Sequence, residues 1–121
     1  MTNSEDFLSV LESDTEVFGT EIAEQVADKL EKGFFLGYRH RDYCGMAMSY
    51  SAEQHFLYGE LYDGIDFSFP QVFKSRNSFV EWLSSQSTAS LARLDANEFY
   101  QGNQIITRKR LLEFINERSP V

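Results

Sequence analysis

The spacing of apolar residues changes period twice along this chain, and that change restricts its fold more than any other feature. From Thr20 to Lys32, Ile22, Ala23, Val26, Ala27 and Leu30 share one side at 100° per residue, the signature of an amphipathic helix. Gly33 follows, where a left-handed C-terminal cap belongs. From Phe34 to Phe69 the apolar residues instead recur in short runs. Phe34–Arg39, Met46–Tyr50 and Phe56–Tyr62 read as strands, with Met46, Met48 and Tyr50 on one side of the second. Asp63-Gly64 is a two-residue hairpin signal that returns the chain through Ile65, Phe67 and Phe69, and Pro70 ends that strand or confines it to an edge.

Helical spacing then resumes. Ser75 is placed to cap a helix carrying Phe79, Val80, Trp82, Leu83 and Gln86, and Ser87-Thr88 restarts a shorter one through Leu91 and Leu94. After a Gly102-Asn103 turn, Thr107 caps a last helix with Leu111, Leu112, Phe114 and Ile115 inward, stopped by Ser119-Pro120. Ahead of all this, Ser4 caps a short helix bearing Phe7, Leu8, Val10 and Leu11. The short links between strands imply an antiparallel meander rather than crossovers. The expected fold is therefore α+β: a central antiparallel meander of three to four strands, with N-terminal and C-terminal helices packed on it. Phe34, Leu36, Leu57, Leu61, Ile65 and Phe67 are the sheet residues expected to need burial. A length of 121 residues fits a single domain spanning 1–121.

Cys44 is the only cysteine, so no internal disulfide is available. Met1–Asp6 carries no basic start to a secretory signal, and no apolar run approaches the ~20 residues that cross a bilayer. These features point to a cytoplasmic protein. Its chemistry is sparse. His40, Cys44 and His55 do not form a recognisable metal spacing, and ordinary packing or exposure explains them. No serine elbow or phosphate loop is present, so the reading assigns no catalytic residue, no metal and no cofactor. The basic triplet Arg108-Lys109-Arg110 opens a helix, the unfavourable end for cations, and is explained by exposure or by pairing with acids elsewhere.

Charge is more informative. The net charge is −8, and nine of the nineteen acids but only two of the eleven bases precede Phe34. Such a field repels phosphate backbones and anionic membranes and steers basic partners. On the Thr20–Lys32 helix, Glu21, Glu24, Asp28 and Glu31 fall within an arc of about 80°, away from the apolar stripe. A surface that tolerates this repulsion is a candidate for matching a basic protein, with a solvated helix face as the plain alternative. A second candidate is the hairpin. If Leu57 and Leu61 face the core, Phe56, Tyr58, Glu60 and Tyr62 face outward, beside Asp63 and Asp66, with helices covering both sheet faces as the plain alternative.

Small size, acidity, one free cysteine and the lack of a catalytic kit together resemble the bacterial immunity proteins, which neutralise nuclease toxins of contact-dependent inhibition and other polymorphic toxin systems. The stretches Phe73–Ser87 and Gly102–Leu111 are also similar to segments of small uncharacterised bacterial proteins. The resemblance implies an inhibitor that binds a basic partner, and the charge disfavours direct contact with nucleic acid or membrane. Three other readings stay open: a small regulatory or ligand-binding domain, an inhibitor that mimics nucleic acid, and a small enzyme centred on His40, Cys44 or His55.

Overall fold

The computed structural model describes residues 14–37, 45–62, 66–95 and 105–117. They form helix α1 (Gly19–Glu31), strands β1 (Gly45–Tyr50), β2 (Phe56–Tyr62) and β3 (Asp66–Phe73), and helices α2 (Arg76–Ser84), α3 (Thr88–Asp95) and α4 (Arg108–Ile115). The strands make an antiparallel sheet in the order β1-β2-β3, so the chain is an α+β meander with helices on either side of it in sequence. Of the expected strand Phe34–Arg39, the described residues end at Gly37, and among them Leu36 alone joins the sheet. Its N–H donates to Met48 O at 3.1 Å and its carbonyl accepts from Met48 N at 2.8 Å, an isolated bridge on the free edge of β1. The helix expected from Ser4, the Asp63-Gly64 turn, Ile65 and the Gly102-Asn103 turn lie outside the described residues. Tyr62 and Asp66 are the last pair of the β2–β3 ladder before residues 63–65.

The helix ends are built as their residues dictate. Gly33 has φ +95 and closes α1 in a Schellman arrangement, with Gly33 N donating to Leu30 O at 3.0 Å and Phe34 N to Lys29 O at 3.1 Å. Lys29 Nζ sits 4.1 Å from the centroid of the Phe34 ring and donates to Glu117 O beyond α4, so this cap also ties α1 to the last helix. Ser75 caps α2 by accepting from Ser78 N, and Thr107 caps α4 by accepting from Arg110 N. At α3, Ser87 and Ser90 exchange bonds, Ser90 N to Ser87 Oγ at 3.0 Å and Ser87 N to Ser90 Oγ at 2.8 Å. This is a serine version of the capping box.

The main core lies between the sheet and α1 and α2. Met46, Met48, Phe56, Tyr58 and Phe73 meet Ala23, Val26, Ala27 and Leu30 of α1 and Phe79, Val80 and Leu83 of α2, with Phe114 of α4 closing the far side. The Phe56 and Phe79 rings stack at 4.7 Å with 9° between their planes. Each such buried side chain contributes about 2 kcal/mol. The helices therefore cover the face carrying Phe56 and Tyr58, so of the two alternatives for these residues the outward one does not hold. Alternation places Leu57, Leu61 and Phe67 on the other face, where Leu61 and Ala47 are buried with Phe35 and Phe67 against them, while Leu57 is half-buried. Leu112 departs from the sequence reading as well. It is 43% exposed, because it lies about 100° around α4 from Leu111, outside the arc that Leu111, Phe114 and Ile115 turn to the core.

Pro70 lies within β3, an edge strand, as the edge half of the sequence reading requires. The register shifts there, because Tyr58 pairs with Gln71 and Glu60 with Ser68, so Gly59 alone faces two residues of β3. A Cβ on Gly59 would stand 2.8 Å from Pro70 Cα. Gly59→Ala must therefore displace backbone, and it is expected to lower stability by about 2 kcal/mol. Urea unfolding of the variant against wild type measures this; an unchanged midpoint would show that the bulge yields freely.

Candidate functional site: an acidic helix face closed by an arginine

The acidic arc of α1 forms as the helical spacing requires, on the side away from Ala23, Val26, Ala27 and Leu30. Three of its four members converge on one cation. Arg76 Nη2 donates to Glu24 Oε2 and to Asp28 Oδ1, each at 2.7 Å, and to Glu24 O at 3.1 Å. Arg76 Nε reaches Glu24 Oε2 at 3.3 Å, and Nη1 donates to Glu31 Oε1. Glu21, one turn nearer the start of the helix, is exposed.

The cap at Ser75 fixes where this cation stands, because it makes Arg76 the first residue of α2. A positive charge there is opposed by the helix dipole, and like charges three or four apart on α1 repel one another. Placing the two side by side relieves both. The hydrogen bond from Glu24, followed by that from Asp28 and by the charges of Asp28 and Glu31, raises the Arg76 guanidinium above its ordinary value, against a desolvation effect that lowers it. The side chains remain partly in solvent: 31% for Arg76, 47% for Glu24, 56% for Asp28 and 36% for Glu31. Single exposed ion pairs contribute about 0–1 kcal/mol, while a planar guanidinium shared by several carboxylates does better. Three carboxylates and one guanidinium leave the cluster negative.

The other expected residues are placed differently. Tyr58 is 4% exposed and its ring lies 5.0 Å from that of Trp82, beneath α2, so it offers no outward contact. Glu60 is half-buried on β2 between Met46 and Ser68, and Tyr62 and Asp66 are partners in the ladder. Asp63, His40 and Cys44 lie outside the described residues. His55 is half-buried at the β1–β2 turn, where its N–H donates to Ser51 Oγ. Within the basic triplet Arg108 and Arg110 are half-buried and held by partners of this chain, while Lys109 is exposed. Arg108 Nη2 donates to the carbonyls of Glu16 and Val17 at 3.0 and 2.9 Å and its guanidinium lies over the Phe18 ring, and Arg110 pairs with Glu117 at 3.3 Å. Among the described residues, no group of three or more His, Cys, Asp or Glu side chains is placed to hold a metal ion, and no helix is long and apolar enough to cross a membrane.

Arg76 is the residue that sequence reasoning missed. Its signal was present: a cation directly after a serine cap stands at the wrong end of its helix and needs an acid from elsewhere. Compared with protein-family models, with curated proteins and with solved structures, the chain has no match.

Arg76→Ala leaves three neighbouring carboxylates without their shared cation and is expected to cost about 1–2 kcal/mol in urea unfolding. Arg76→Lys should recover less than half of that, since an ammonium cannot reproduce the fork. Full recovery by lysine would mean that charge alone, without geometry, holds the two helices.

Proposed function

We propose that this chain is a non-enzymatic binding protein that docks a basic protein through the acidic face of α1, and that the partner is the nuclease domain of a cognate bacterial toxin. On this reading it is an immunity protein. The observation that carries the proposal is the state of the arc. Arg76 offsets one charge and holds the side chains of Glu24, Asp28 and Glu31 in place, while all three keep a third or more of their surface in solvent. Side chains already held lose less freedom when a partner arrives. The remaining negative charge, with Glu21 at its edge, steers a cationic surface into contact.

A nuclease must itself be basic where it binds phosphate, which makes its active groove the surface complementary to this face. Blocking that groove requires no chemistry from the inhibitor. The contact set is Glu21, Glu24, Asp28 and Glu31, with Glu60, Tyr62, Asp63 and Asp66 of the hairpin secondary to them. Tyr58, being buried, drops out.

The test uses the partner domain that copurifies with the untagged chain from its native cells. Glu21→Lys leaves the Arg76 cluster intact, and Glu21→Lys with Asp28→Lys reverses more of the field. Association should slow by about tenfold in the double variant at low salt, and its salt dependence should flatten. Unchanged rates and salt slopes in both variants, each folded as wild type, would end the proposal.

A further inference from the structure

The outer face of α4 carries a feature that the acidic arc does not explain. An open groove of about 700 Å³ is lined by Asp14, Arg108, Lys109, Leu112, Glu113 and Asn116. Lys109, Leu112, Glu113 and Asn116 follow one another at helical spacing, so they form a single stripe, and all four are exposed. Leu112 at 43% and Val17 at 54% are two of the most exposed large apolar side chains among the described residues, and the Val17 carbonyl is bonded to Arg108 on the groove wall.

We propose that this stripe is a self-association surface, through which two copies of the chain pack α4 against α4, antiparallel about a two-fold axis. Charge complementarity selects the occupant. The exposed stripe holds one cation and one anion, Lys109 and Glu113, and so favours neither an acidic nor a basic partner. It is complementary to itself. A two-fold axis crossing the helix near Leu111 lays Lys109 of each copy against Glu113 of the other, twice per dimer, and brings the two Leu112 side chains together over the axis. Within one helix, lysine preceding glutamate by four is the weaker order for a pair. Among the described residues, neither Lys109 nor Glu113 makes an ion pair. Both are therefore left for a contact across the axis. This inference is independent of the acidic face on α1.

Sedimentation equilibrium of the full chain at about 0.15 M salt, where the repulsion of two −8 chains is screened beyond about 8 Å, tests it directly. The mass should climb toward twice the monomer's with concentration, and Leu112→Asp should remain monomeric while melting as wild type does. Lys109→Glu and Glu113→Lys should each weaken association by about tenfold, whereas the double exchange restores opposite charges across the axis and should recover it. A wild-type chain that stays monomeric up to about 1 mM, or a double exchange no stronger than the single ones, would overturn the proposal.

Discussion

Arg76 and the three carboxylates it gathers set the relation between α1 and α2, and much of the structure follows from that relation. Two helices lying side by side on a small sheet must bury their apolar stripes below and dispose of their charges at the seam. The charges that α1 turns to the seam, Glu24, Asp28 and Glu31, are all of one sign, and on α2 the first residue is a cation at the end where the helix dipole disfavours it. Each helix alone carries an electrostatic strain, and together they relieve it. The seam then directs Ala23, Val26 and Ala27 of α1 and Phe79, Val80 and Leu83 of α2 onto the same face of the sheet.

Beneath the seam, aromatic packing takes over. Tyr50, Phe56, Phe79, Phe73, Trp82 and Tyr58 each contact the next, with ring centroids between 4.7 and 5.6 Å apart. Rings on one face of β2 and β3 thus meet rings on one face of α2. This packing decides which side of the meander is the interior. The bulge where Gly59 faces Pro70 keeps Phe73 in register with Phe56 after β3 has passed its proline.

Local signals in the sequence were legible because their physics is local. The Gly33 cap, the serine and threonine caps at Ser75 and Thr107, the restart at Ser87-Thr88 and the short-linked strands all depend on residues a few positions apart. The acidic arc was legible for the same reason, since it is helical arithmetic. Its partner was not, because Arg76 lies 45 to 52 positions from the carboxylates it binds. Nor did alternation alone decide which face of β2 is covered: both faces carry apolar residues, and only the docking of α2 on Phe56 and Tyr58 makes one of them the main core. Leu112 is apolar like its neighbours, and only its angle around the helix sets it outside the core-facing arc.

The functional reading leans on the same seam. An acidic face that is merely solvated has mobile side chains, whereas one anchored by a guanidinium presents its remaining charge in a fixed arrangement. The most direct measurement is a double-mutant cycle on Glu24 and Arg76 by urea unfolding, comparing Glu24→Gln, Arg76→Met and the pair. Anchoring predicts a coupling energy of about 1 kcal/mol or more, so that the double variant is much less damaged than the sum of the single ones. Additive losses would contradict it, showing that the guanidinium and the carboxylate contribute independently and that nothing holds the acidic face in place.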